Sequence, residues 1–369
     1  VLENPLCDAE SGCVIFNTSG TTSLPKFVLH NQKRVVEHAG DVARILEMSN
    51  PNTVVLQSLP FCGVFGFIFL AAAIRAAAEC VMPVIFEAAE SAQLMIDYKV
   101  THAAGGDDMF SRLLDEGIRI TDDVPIPFPN LQFCPYASFN SALADFPKMA
   151  FKRGIPLVAP FGMSEVFSFF SLRKMTDDQN IRTIGGGFPV NGNSKVRVRD
   201  PDTHKLLGFE QEGELEMSSP NIFVEYYGNN GAYTATFTED GFLKTGDLGT
   251  VSKNGSFTYL GRMGDVLRLG GFLVNPLEIE IQLCSHQMVE DAQVVAVATD
   301  RGNKAVAFII PEETVEFSEA TLIGYCKQTL AGFKVPIKVI SIDAFPSTPS
   351  PNGTKIQKGA LRDLAMASI

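Results

Sequence analysis

Between Gln32 and Tyr98 the hydrophobic spacing switches repeatedly between two periods, and this switching narrows the fold more than any other feature. Within Gln32 to Leu46, the residues Val35, Val36, Ala39, Val42 and Leu46 recur at helical spacing. Val54-Val55-Leu56 then predicts a strand, and the small residues through Ala71-Ala72-Ala73 and Ala76-Ala77-Ala78 predict a helix. Cys80 to Ile85 predicts another strand and Ala89 to Tyr98 another helix. Such β–α alternation implies an α/β fold with a mainly parallel sheet covered by helices. From Lys195 the texture changes. Lys195-Val196-Arg197-Val198-Arg199 and Gly213-Glu214-Leu215-Glu216-Met217 alternate with period two, as antiparallel strands of a distorted β-barrel part would.

A boundary is expected at Gly261-Arg262-Met263-Gly264-Asp265, dividing a large domain over residues 1–261 from a small α+β domain over 262–369. In the latter, Leu277 to Leu283 and Ser318 to Leu330 read as helices. Asp291 to Ala298, Lys304 to Ile310 and Val339 to Ile342 read as strands. Gly264 would tolerate the dihedral change of a hinge.

A chain of 369 residues is long enough for two substantial cores. With 30 Lys and Arg against 42 Asp and Glu, its net charge of −12 argues against a nucleic-acid partner or an anionic lipid surface. Seven cysteines, an odd number without paired spacing, suit reduced thiols and a cytoplasmic setting. The longest apolar stretch, Val64 to Ala73, is too short for an integral membrane segment and reads as core.

Phe16-Asn17-Thr18-Ser19-Gly20-Thr21-Thr22-Ser23-Leu24-Pro25-Lys26 follows an apolar run, Val14-Ile15-Phe16, that reads as a short buried strand. Hydroxyl and backbone N–H donors around a mobile ammonium suit a polyphosphate. The Walker pattern Gly-x-x-x-x-Gly-Lys-Ser/Thr is absent.

The order Thr-Ser-Gly-Thr-Thr-x-x-Pro-Lys resembles the phosphate loop of the adenylate-forming superfamily, which includes acyl- and aryl-CoA ligases, adenylation domains and luciferases. Five further blocks resemble the family in its order. Leu59-Pro60-Phe61-Cys62-Gly63-Val64-Phe65-Gly66-Phe67 is similar to the acyl-pocket motif, with Gly63 where a histidine or bulky aromatic is common. Phe161-Gly162-Met163-Ser164-Glu165 resembles Tyr-Gly-x-Thr-Glu, and Lys244-Thr245-Gly246-Asp247-Leu248 resembles Thr-Gly-Asp. Tyr259-Leu260-Gly261-Arg262 is similar to the Gly-Arg block, which continues through Asp265, Arg268, Gly270-Gly271 and Glu278. Asn352-Gly353-Thr354-Lys355 resembles the terminal Gly-Lys element, with Thr354 inserted. Relatives carry a long α/β segment ahead of the phosphate loop, so a shortened member or a fragment is expected.

The resemblance implies a two-step reaction using ATP, Mg²⁺ and coenzyme A on a small-molecule carboxylic acid, fatty or aromatic. It assigns Thr18, Ser19, Gly20, Thr21, Thr22 and Lys26 to the ATP phosphates. Ser138, in place of a Gly/Ala-rich turn, and Phe161 and Gly162 fall on the adenine side. Ser164 would donate to the α-phosphate, Glu165 hold Mg²⁺, Asp247 accept the ribose hydroxyls, and Arg262 contact ribose and phosphate. Thr18, Glu165 and Lys355 would be catalytic, Lys355 in adenylation. Gly63, Phe65, Gly186, Arg268, Gly270 and Gly271 fall on the acyl and CoA side, with Phe67, Phe167, Phe169 and Phe170 as further candidate pocket walls. In the family's second step the small domain rotates, here about Gly264, withdrawing Lys355 and presenting Arg268. The residues barely separate a CoA ligase from an acyl-AMP ligase that loads an acyl carrier protein. A third class is a non-catalytic nucleotide-binding homologue. Ser23 in place of a usual glycine, and Phe27 after Pro25-Lys26, imply a stiff phosphate loop.

Overall fold

A computed structural model of the chain describes residues 8–18, 26–138, 143–270, 272–300, 302–312, 315–350 and 353–369. It divides into two compact units. The first takes in the chain up to Ala137 together with Phe146–Tyr259, and the second takes in Leu260–Ile369 and Ser138–Asp145.

In the first unit, Glu79–Val81, Val54–Leu56 and His102–Ala103 form a parallel sheet in that spatial order. Gly105–Gly106, Cys134–Ala137 and Leu157–Val158 form a second parallel set. A parallel bridge between His102 and Phe133 joins the two. The helices between these strands follow the sequence spacing. Gln32–Ile45 begins where the Asn31 side chain accepts the Arg34 N–H at 3.0 Å, an N-cap that satisfies one orphan donor. Val64–Arg75 is apolar on every side, and such a helix is stable only when buried. It packs on Gln32–Ile45 in the largest core cluster, with Ile68, Phe69, Ala72 and Ala73 fully enclosed.

Two segments are shorter than their spacing implies. The helix through the alanines stops at Arg75, because Ala77 turns left-handed at φ 54° and the Ala78 N–H bonds back to Ala73 O at 3.0 Å. That six-to-one bond, with the Ala77 N–H to Ile74 O, is a Schellman ending in which alanine takes the place glycine usually holds. The strand expected over Cys80 to Ile85 is confined to Glu79–Val81. Pro83 has no N–H for a ladder, and beyond it Val84 is 99% exposed.

The antiparallel region is a seven-stranded sheet in the order Lys195–Arg199, Gly213–Ser218, Leu243–Val251, Phe257–Arg262, Gly186–Pro189, Ser171–Leu172, Pro160–Phe161. A bulge between Glu214 and Glu216 distorts its pairing with Leu243–Val251. Glu216 is fully buried, with Arg197 and Arg199 each donating to one of its oxygens at 2.5 Å.

In the second unit Val289–Thr299 pairs antiparallel with Gly302–Pro311, which pairs parallel with Lys338–Ser341. The two long strands are near-continuous apolar runs because helices cover both faces. Ile279, Leu283, Leu322 and Cys326 cover one face, and Leu361 and Ala365 the other. Among the described residues no helix is long and apolar enough to cross a membrane.

Glu216→Ala removes the acceptor that both guanidinium groups share. Because both arginines retain some solvent, the expected loss of stability is at the low end of about 3–5 kcal/mol. Urea unfolding measures it, and a loss under about 1 kcal/mol would show that the buried triad is not a structural centre.

Candidate functional site

The phosphate-loop sequence joins two antiparallel strands, Gly12–Thr18 and Lys26–Asn31, with Thr18 opposite Lys26. The two ends are tied, since the Thr18 hydroxyl lies 3.4 Å from both the Lys26 N–H and the Lys26 carbonyl. Only Phe16 of the expected buried run is enclosed; Ile15 is exposed, because alternate residues of a strand face opposite ways. Ser19, Gly20, Thr21 and Thr22 lie outside the described residues.

Lys26 leads to the chemistry. Its ammonium sits 4.6 Å from the centroid of the Tyr226 ring, on the strand Glu225–Tyr226 that pairs with Lys26–Asn31. The buried Tyr226 hydroxyl donates to Glu165 Oε1 at 2.8 Å. Glu165 is itself buried, in the short 3₁₀ turn Ser164–Val166, and its carbonyl accepts the Phe223 N–H at 2.8 Å. A cation, an aromatic hydroxyl and a carboxylate from three separate segments therefore meet in one place.

The turn that carries Ser164 and Glu165 is unusual in its backbone. Phe167, Ser168 and Phe169 all adopt positive φ, at 61°, 54° and 41°. Each such non-glycine residue costs on the order of 1–3 kcal/mol. Complete burial of the Phe167 and Phe169 rings contributes about 1.5–3 kcal/mol apiece and offsets much of that cost. Gly162 is dictated by the same turn, since a Cβ there would lie 2.6 Å from Ser168 Cα.

Two imidazoles brace this loop from behind. His30 Nε2 donates to Ser164 O at 2.8 Å, and His38 Nε2 donates to Ser168 O at 2.7 Å. Burial pushes the His30 pKa down to about 3 and the His38 pKa to about 4, so both rings are neutral near neutral pH. Neither they nor Tyr226 stood out in the sequence, because a histidine in an apolar segment usually reads as a satisfied core residue.

A second group of candidate residues lies on the seven-stranded sheet. The Phe161 ring is buried, edge-on to Phe257 at 5.3 Å and tilted against Tyr259 at 5.5 Å. Gly186 stands opposite Thr258 at φ 122°, where a Cβ would lie 2.2 Å from Phe257 O, so only glycine fits. Asp247 is buried on the strand Leu243–Val251, where the Thr245 hydroxyl accepts the Asp247 N–H at 3.0 Å and donates to Leu215 O at 2.7 Å. Arg262 is exposed at the end of Phe257–Arg262. Ser138 is exposed just beyond Cys134–Ala137.

Gly63 is buried at the N-cap of Val64–Arg75, and Phe65 packs on Phe169 at 5.1 Å. Phe167, Phe169 and Phe170, expected as pocket walls, are core residues with at most 2% exposure. In the second unit, the exposed Arg268 lies on a hairpin of Leu267–Leu269 with Phe272–Val274. Its two-residue loop requires the positive φ of 58° that Gly270 supplies, while Gly271 lies outside the described residues. Gly264 sits in a turn closed by the Val266 N–H on Arg262 O at 2.8 Å, and its carbonyl accepts from Arg362 at 2.6 Å. Lys355 lies on Gly353–Ile356, opposite Thr348; its side chain is outside what the structure describes.

A family model described as AMP-binding enzyme matches residues 2–227, and one described as AMP-binding enzyme C-terminal domain matches residues 278–351. The chain is similar to a probable CoA ligase of Humulus lupulus, at 26% identity over 98% of this chain and 68% of that protein. It is 25% identical to an oxalate–CoA ligase of Arabidopsis thaliana over 92% of this chain and 66% of that one. Among solved structures, ATP-bound MatB from Rhodopseudomonas palustris superposes with a TM-score of 0.84 at 25% identity, covering 97% of this chain and 69% of that chain. The chain thus spans about two thirds of the length of these proteins.

The buried imidazoles predict an acid sensitivity with a definite sign. His38 and His102 both have pKa values lowered from 6.5 by burial, so the folded state keeps them neutral while the unfolded chain protonates them. Their contribution is complete above pH 6.5 and is lost as pH falls from there toward the lowered folded values. The urea midpoint should therefore be lower at pH 5 than at pH 7.5. An equal or higher midpoint at pH 5 would contradict neutral burial.

Proposed function

The chain belongs to the AMP-binding enzyme family, and on that premise we propose that it is an acid–thiol ligase of the acyl-CoA synthetase kind. A carboxylate oxygen attacks the α-phosphorus of ATP, the bond to the β-phosphate oxygen breaks, and pyrophosphate leaves with the electron pair. The thiol of coenzyme A then attacks the acyl carbonyl and AMP departs. The observation that carries this reading is the meeting of Lys26, Tyr226 and Glu165 beside Ser164. Phosphoryl chemistry of this kind asks little covalent help from a protein; catalysis rests on positioning and on charge placed against the phosphates.

Each residue has a part in this reading. Thr18 and Lys26, with Ser19 to Thr22, hold the β- and γ-phosphates, and Ser164 donates to the α-phosphate. Glu165 supplies the hard carboxylate oxygen that Mg²⁺ prefers, and a Mg²⁺ site shared with substrate phosphates needs only one or two such ligands. Bound there, the ion would neutralise phosphate charge. The Tyr226 hydroxyl orients the carboxylate, and its ring gives the Lys26 ammonium a resting place. Asp247 takes the ribose hydroxyls, one carboxylate accepting two O–H donors, and Arg262 is assigned to ribose and phosphate. Ser138, Phe161 and Gly162 are assigned to adenine. Gly63 and Phe65 are assigned to the acid, and Gly186, Arg268, Gly270 and Gly271 to CoA. Lys355 neutralises the oxygens shared by carboxylate and α-phosphate.

Separating the two half-reactions tests the assignment. Lys355→Ala should lower acid-dependent pyrophosphate release by about 100-fold or more, the usual size of a lost transition-state charge contact. Thioester formation from a supplied acyl-adenylate should stay within a few-fold of the parent. Equal loss in both half-reactions would remove Lys355 from the adenylation step.

A further inference from the structure

We propose that His30 and His38 are positioning residues, a pair of imidazoles that clamp the two ends of the Ser164–Phe169 turn and thereby set Ser164 and Glu165 for adenylation. The catalytic consequence rests on the ligase reading above, whereas the clamp stands on geometry alone. Carbonyl oxygens only accept, so both Nε2 atoms carry hydrogen, one donating to Ser164 O at 2.8 Å and the other to Ser168 O at 2.7 Å. Between these anchor points lie Glu165 and the left-handed Phe167, whose ring packs on His30 at 4.1 Å and on His38 at 5.7 Å.

The supports behind the two rings differ. His38 Nδ1 lies 3.4 Å from Asn221 Nδ2, which also approaches Asp41 Oδ2 at 3.4 Å; Asn191 donates to that same oxygen at 2.7 Å. This chain of polar groups fixes both the tautomer and the ring plane. His30 Nδ1, by contrast, has no partner among the described residues and is fully buried. An apolar side chain of equal volume would remove that unsatisfied acceptor, and the polar contact it would lose is the donor to Ser164. The clamp does not touch substrate. It acts through the backbone of the residue that carries the proposed α-phosphate donor and of the neighbour that carries the proposed metal ligand.

The test uses the full chain with His30→Leu and His38→Leu, which keep bulk without a donor, beside His30→Gln and His38→Gln, which restore an N–H at similar reach. Hydrogen exchange is read on the amides of Val166, Phe167 and Ser168, which bond within the turn to Met163 O and Ser164 O. The leucine variants should exchange there about 10-fold faster or more, with other regions unchanged, and the glutamine variants should return to within about 3-fold of the parent. In acid-dependent pyrophosphate release with MgATP, the leucine variants should lose about 10–100-fold in kcat and need more Mg²⁺ for half-maximal rate, again with recovery in glutamine. Where a leucine variant does not fold, asparagine, polar but too short to reach the carbonyl, takes its place. A lowered melting temperature with unchanged exchange in the turn, kcat and Mg²⁺ dependence would reduce both residues to packing and overturn the proposal. Should the parent itself release no pyrophosphate with any acid, the ligase reading fails on that arm alone, and the exchange data still decide the clamp.

Discussion

The turn from Ser164 to Phe169 is held against its own backbone preference, and the rest of the candidate site is arranged around that fact. Three successive non-glycine residues at positive φ would not persist in a free peptide. Here Phe167 and Phe169 are driven into the core that also encloses Phe16 and Phe65, and ring burial offsets much of what sterics oppose. The same strain forces the chain to pass close to itself at Gly162, where no side chain fits. It leaves Glu165 buried, with its carboxylate toward Tyr226 rather than solvent.

A second constraint comes from the sheet. Phe161, Gly186 and Asp247 are far apart in sequence but lie within one antiparallel sheet, on strands joined in order through Phe257–Arg262 and Ser171–Leu172. Their relative positions are fixed by backbone hydrogen bonding, which is less adjustable than side-chain packing. The sheet is in turn pinned at its other edge by Glu216, whose two arginine partners belong to the neighbouring strand. Scaffold and this part of the candidate site therefore belong to one hydrogen-bonded sheet.

Much of this was legible in the sequence where periodicity is strong. Gln32–Ile45, Lys195–Arg199 and the long strands of the second unit fall where the spacing of apolar residues places them. The motif glycine Gly162 was legible too, because the close approach that demands it is to Ser168, nearby in the chain, whereas the demand on Gly186 comes from Phe257 across the sheet. What escaped was relational. Tyr226 is an ordinary core aromatic until strand pairing brings it beside Lys26 and Glu165, and His30 and His38 look like structural histidines until the carbonyls they meet are known. The overlong strand after Glu79 failed for a different reason. A run such as Met82 to Ile85 is apolar enough to be a strand, but Pro83 cannot join a ladder, and Val84 faces solvent.

The central claim is that Glu165, oriented by Tyr226 in its strained turn, serves an adenylate-forming reaction. ATP–pyrophosphate exchange by the purified chain, assayed with a panel of fatty and aromatic carboxylic acids, tests it most directly when parent and Glu165→Gln are compared. The account predicts exchange that requires both an acid and Mg²⁺, and a loss of about 100-fold or more in the variant. Nucleotide binding without exchange for any acid, or exchange that Glu165→Gln leaves intact, would contradict it.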